Sequence, residues 1–187
     1  MAVATPSKKL TYEDYLLLPE DDGLHYEIID GELFVNAAPI PRHQRISGNL
    51  HLLIGPYVRD RECGELYYAP VDVLLSTHDV LEPDLLYITN EHAAILKEKN
   101  VQGAPDFVIE ILSDSTRRKD EVLKLKRYEL FGVAEYWIID PKRNRVKVYR
   151  RRGDRLEAVE TVSAETGGTL TSPFFPGLVI DVRAVFA

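Results

Sequence analysis

The sequence holds one cysteine, one methionine and one tryptophan among its 187 residues. The lone thiol, Cys63, closes no disulfide within the chain, and a chain without cross-links fits a reducing, cytoplasmic setting. No apolar run approaches the roughly 18 residues that mark a bilayer span, so no membrane partner is expected. Met1 to Lys9 lack the apolar stretch of a secretory leader. Internal repeats and low-complexity tracts are missing too. Positive charge is not in excess: the formal net charge is −7, which argues against a protein that coats nucleic acid through bulk charge. Zinc motifs of the C-x-x-C or H-E-x-x-H kind, a G-x-S-x-G elbow and phosphate-loop glycines are all absent, so those chemistries have no foothold.

What is present suits one domain over residues 1–187, with 45% hydrophobic and 28% charged residues, enough to bury a sizeable core. Charge is distributed unevenly. Lys142 to Arg155 carries eight basic residues and one acid, and Arg117 to Arg127 carries six basic and two acidic. Each stretch reads either as a local dock for a polyanion or as a solvated hairpin and helix face.

Thr11 to Leu18 predicts a short capped helix stopped by Pro19, and Leu24 to Val35 a hairpin on the Asp30-Gly31 turn. His43 to Arg59 carries Ile46, Leu50, Leu53, Ile54 and Tyr57 on one helical face, with Pro56 late enough to end or kink it. Strands are expected at Glu65–Ala69, Val71–Leu75, Asp84–Ile88, Phe107–Leu112 and Glu135–Asp140, with a short helix at Glu91–Lys99. Ser113 to Thr116 supplies cap chemistry for a helix reaching Phe131 and closed by Gly132. A basic hairpin, a proline-marked loop and Leu178–Ile180 complete the chain. The order is α/β or α+β, with a mixed sheet.

Glu110 is the most informative residue, because every other member of Phe107–Leu112 is apolar. Such runs belong to strands covered on both faces, so this carboxylate needs a cation, a metal or a proton beside it. A salt bridge to Arg117 or Arg118 would satisfy it without any function. Asp84, after Pro83, is a turn residue on its own; paired with Glu110 on a neighbouring strand it could share Mg²⁺. Lys124 falls at i with Tyr128 and Phe131 at i+4 and i+7, a core-facing stripe that includes a lysine. The plain alternative is a solvated i,i+4 pair with Asp120. Ser113 reads as a cap and Cys63 as packing.

An ordered set of motifs then carries a resemblance: Tyr26-Glu27-Ile28-Ile29-Asp30-Gly31-Glu32-Leu33, His43, Pro83-Asp84, Pro105 to Ser113, Ser115 to Asp120, Lys124, Tyr128 and Gly132 to Pro141. From about Thr11 to Tyr149 the chain resembles the Uma-type endonuclease family, within the PD-(D/E)XK restriction-endonuclease-like superfamily. The resemblance implies a core of helix, three strands, helix and strand, with extra hairpins at both ends. It implies Mg²⁺, or Mn²⁺ in its place, held by Asp84, Glu110 and the carbonyl of Ile111. The superfamily's lysine two residues beyond the glutamate is Leu112 here, and Lys124 on the following helix is the matching position. Glu27 would extend the cation site or form a hairpin salt bridge. His43 would touch phosphate or start its helix, and Arg117, Arg118, Lys119 and the basic hairpin would grip flanking phosphates. The implied activity is hydrolysis of DNA phosphodiester bonds, with a homodimer as the implied assembly. The competing expectation is an inactive nuclease-fold module that binds nucleic acid or protein.

Overall fold

Strands with apolar residues on both faces need cover on both sides, and two strands here are of that kind: β8 (Phe107–Ile111) and β9 (Glu135–Asp140) are buried throughout. The computed structural model describes residues 8–19 and 23–187; residues 1–7, read above for leader character, lie outside them.

Before β8 run α1 (Tyr12–Tyr15), the hairpin β1 (His25–Ile29) and β2 (Glu32–Asn36), and the long α2 (Pro41–Arg61). Next come β3 (Gly64–Tyr68), β4 (Val73–Ser76), β5 (Asp79–Leu81), β6 (Leu85–Thr89), a 3₁₀ segment at Asn90–Ile95 and β7 (Val101–Gln102). Between β8 and β9 lie a π-helical segment, Lys119–Lys124, and α3 (Leu125–Phe131). The chain ends with β10 (Arg145–Arg152), β11 (Arg155–Ser163), β12 (Thr169–Leu170), β13 (Ile180–Asp181) and α4 (Val182–Phe186).

Six strands in the order β11-β10-β9-β8-β6-β3 form the main sheet, in which only β8 and β9 run parallel. One face packs on α2 and the C-terminal segment: Phe107, Ile109, Ile111, Trp137 and Ile139 meet Ile46, Leu50, Ile54, Phe175 and Val185. The other face carries Val108, Leu112, Tyr136 and Ile138 against Tyr128 of α3 and against Ile29, Val73 and Leu81. Those last three belong to a second, five-stranded sheet, β2-β1-β5-β4-β7.

Several expectations are met in place. Thr11 caps α1 in a reciprocal box with Asp14, and Asp30 and Gly31 turn β1 into β2 at positive φ of 53° and 80°. Other expectations need correction. Helix α2 runs through Pro56 to Arg61 and ends on Glu62 in the left-handed conformation. The N-terminal hairpin is no appendage, because β1 pairs with β5, a three-residue strand too short for a periodicity argument to find.

Asp79 shows how the second sheet is held. Fully buried, it accepts from the Asp30 backbone N–H (2.9 Å), Ser76 Oγ (2.6 Å) and Arg127 Nη2 (2.5 Å), so one carboxylate joins β5, the β1–β2 turn and α3. Asp79→Ala is expected to destabilise the protein by about 3 kcal/mol, because it strands buried donors and a partly buried guanidinium. Urea unfolding checks this, with a lowered midpoint at unchanged slope.

Candidate active site

The antiparallel register of β6 on β8 pairs Leu85 with Ile109, so one step further Asp84 stands beside Glu110. Asp84 Oδ2 accepts from the Ile111 backbone N–H at 2.6 Å. Glu110 itself is 3% exposed and points toward the α3 side. Its Oε1 accepts from Lys124 Nζ at 2.8 Å and from Tyr128 Oη at 2.7 Å, which leaves Oε2 outside both bonds. The partner is thus a lysine and a tyrosine, not the arginine of the simple salt-bridge reading. Lys124 is buried, not on a solvated face, and its 3.7 Å approach to Asp120 Oδ1 lies inside the protein.

Glu27 enters from the second sheet. Oε1 accepts from Lys124 Nζ (2.6 Å) and the Glu82 backbone N–H (3.0 Å); Oε2 accepts from Asn36 Nδ2 (3.0 Å) and Lys119 Nζ. Four donors saturate both oxygens, so Glu27 anchors the lysines and has no oxygen spare for a metal. Burial pushes this carboxyl up, but Lys124 and then Lys119 outweigh it and hold its pKa at about 2.

Lys119 was expected among the surface cations. It is instead buried, with Nζ donating to Glu27 and to Asn36 Oδ1 at 2.8 Å. The cause is local: Lys119–Lys124 is π-helical, and the wider π turn puts residues five apart on one face, where an α-helix would separate them by roughly 140°. Of the other two expected phosphate cations, Arg117 is forked onto Asp140 at 3.0 and 3.1 Å, and Arg118 is exposed.

The basic hairpin also differs from expectation. Arg143 and Arg145 lie near Asp140, Arg150 near Glu135 and Glu160, and Arg152 near Glu157, while Arg151 donates to the carbonyls of Tyr128, Glu129 and Val133. Arg145 pairs with Asp140 at the site end of the sheet and Arg150 with Glu135 at the other, so the hairpin's far half is remote from Glu110.

Four carboxylates (Glu27, Asp84, Glu110, Asp120) therefore meet two ammonium groups. Burial, opposed by Lys124 and reinforced by Asp120, Asp84 and Glu27, drives the Glu110 pKa well above that of a free glutamate. Burial likewise lifts Asp120 to about 6 against the pull of Lys124, and its Oδ1 is buried without a hydrogen-bond partner. Burial opposes charge on Lys124 as well, but Glu110, Glu27 and Asp120 outweigh it and hold the proton firmly. Two negative charges in excess, and an orphaned carboxylate oxygen, fit a divalent cation. Among the described residues no three His, Cys, Asp or Glu side chains form a ready cage; a hard cation that keeps waters and takes one or two carboxylates needs none.

These groups line a cavity of about 720 Å³. His43, in the first turn of α2, places Nε2 3.3 Å from Asp84 Oδ1, and its Nδ1 is buried without a partner. Burial would neutralise this ring, yet Asp84 and the Ile111 backbone favour its protonated form and raise its pKa. Ser113 lies at the rim as a cap, its Oγ 3.2 Å from the donating Thr116 backbone N–H.

Residues 12–183 match the family described as "Uma2: Putative restriction endonuclease". The chain belongs to this family. A relative from Synechocystis sp., described as "Uncharacterized protein sll1609", is 27% identical over 157 residues, covering 83% of this chain and 88% of its own. A crystal structure from Anabaena variabilis, titled a "putative nuclease belonging to DUF820", superposes with a TM-score of 0.78 at 22% identity, over 95% of this chain and 97% of that one. The Uma2 chain described here has the same mixed α/β fold, and no helix among its described residues is long and apolar enough to cross a membrane.

The raised Asp120 carboxyl has a consequence for stability in metal-free protein. With a folded pKa near 6 against an ordinary 3.8, the native state binds this proton more tightly than the unfolded chain does. Its contribution therefore grows as pH falls from about 6 to about 4 and is lost above that window. Asp120→Asn is expected to raise stability at pH 7 by about 2–3 kcal/mol and to flatten the profile between pH 4 and 6. Urea midpoints across pH in a chelating buffer measure both.

Proposed function

We propose that this Uma2 protein is a divalent-metal-dependent endonuclease that hydrolyses DNA phosphodiester bonds as a single restriction-endonuclease-like domain. The observation that carries the reading is Glu110: a carboxylate buried at the end of a core strand, beside Asp84, with a charged lysine on one oxygen and the other left to the cavity. Asp84, Glu110 and the Ile111 carbonyl would hold Mg²⁺ or Mn²⁺. Such an ion, when bound, polarises the phosphoryl oxygen and supplies a hydroxide-like nucleophile at neutral pH.

The remaining work falls to the chain's own side chains. Lys124 keeps its proton, so it acts as a fixed positive charge facing the phosphoryl group and not as a base. Glu27 holds that ammonium in place from below, with Lys119 and Asn36 holding Glu27 in turn. His43 Nδ1, buried and unpartnered, is positioned to hydrogen-bond a phosphate oxygen, while Nε2 stays on Asp84. Arg42 and Lys142 at the rim lie where they can contact flanking phosphates. The lysine missing at Leu112 is replaced in space by Lys124, which speaks for an active site over an inert binding module.

Cleavage of labelled DNA with Mn²⁺ or Mg²⁺ tests this. Glu110→Ala is expected to lose about 100-fold or more of the metal-dependent rate while keeping its fold. Cutting by Glu110→Ala at the wild-type rate would place the chemistry elsewhere. Salt-sensitive binding with no cutting by the wild type would favour the inert module.

A further inference from the structure

The reacting groups sit deep: Glu110 is 3% exposed, Lys124 2% and Glu27 1%. A phosphate in an intact duplex is flanked by paired nucleotides and cannot reach such a floor without local unpairing. Enzymes whose target lies out of reach of a duplex act on single strands or extrude a nucleotide, and extrusion carries an unstacking penalty.

The cavity wall points the same way. Ala37, Ala38, Pro39 and Ile40, from the connection between β2 and α2, line it together with Ala69 and Pro70. Ile40 is 65% exposed, in a position where an apolar side chain serves no core. A wall of this kind suits the flat face of an unpaired base and its sugar; a paired base offers only its edges.

Cations at the mouth are few. Arg42 rests on neutral acceptors, the Pro141 carbonyl (3.4 Å) and Asn144 Oδ1 (2.6 Å), and Lys142 lies 2.6 Å from Asp114. The hairpin arginines beyond them are engaged internally, and the chain as a whole is acidic. Two mobile rim cations match one phosphate backbone; duplex binders typically neutralise about 6–10 phosphates.

We propose that the substrate is single-stranded DNA, threaded with one unpaired nucleotide against the Ala37–Ile40 wall and its phosphate on Glu110 and Lys124. The proposal rests on the nuclease reading above. A single strand also removes the need for two copies acting on opposite strands.

A labelled oligonucleotide, alone and annealed to its complement, is incubated with wild-type protein and Mn²⁺. The single strand is expected to be cut roughly 10- to 100-fold faster than the duplex. Ile40→Ser removes the wall while giving α2 the side-chain N-cap it lacks, so the fold is retained. Its KM for the single strand should rise about fivefold with little change in kcat. Equal cutting of both substrates, or an unchanged KM in Ile40→Ser, overturns the single-strand proposal and leaves the nuclease reading standing. No cutting of either substrate overturns both.

Discussion

Everything at the centre of this molecule depends on one ammonium group. Lys124 stands between Glu27 of the second sheet and Glu110 of the main sheet, 2.6 and 2.8 Å from each. Each buried ion costs several kcal/mol in lost hydration, and only close, well-satisfied pairing offsets that. The pairing in turn demands that β1, β8 and the helical segment meet at one point. The second sheet is therefore placed by ions as well as by the apolar contacts of Ile29, Val73 and Leu81. Because four carboxylates share two lysines, the arrangement is satisfied but not neutral, and the residual charge faces the cavity.

That imbalance separates the groups by role. Glu27 has all its lone pairs taken and the lowest pKa, about 2, so it works as a structural anion. Glu110 and Asp120 are pushed the other way by burial and by each other. A site that strains to keep its acids ionised is poised for a cation, as perturbed carboxylates in a cleft so often are. The same low-dielectric surroundings make Lys124 a strong electrostatic device, because water does not screen it.

Much of this was legible in the residues. Glu110 announced itself as the lone charge in an apolar run, the Asp30-Gly31 turn by its dipeptide, and Lys124 by its place in a stripe with Tyr128. What stayed hidden has physical causes. Lys119 was assigned to the surface because a 3.6-residue period puts it off the Lys124 face, and a π turn is not written in hydrophobic spacing. Strand β5 has only three residues, so no alternation could reveal it or the second sheet it completes. The basic hairpin looked available because charge counts do not show partners; the acids that engage it lie partly in other strands, among them Asp140 and Glu135 of β9. Even His43, found by resemblance, drew its contact with Asp84 from a register between strands that the sequence only brackets.

The central claim is that the excess charge around Glu110 takes a divalent cation. Isothermal titration of the wild type and of Glu110→Gln with Mn²⁺, repeated with a phosphodiester oligonucleotide present, addresses it most directly. The account predicts heat of binding at one site in the wild type, strengthened by the oligonucleotide and lost in Glu110→Gln. Folded wild-type protein that binds no Mn²⁺ under either condition, or a Glu110→Gln protein that binds it equally well, would contradict the account.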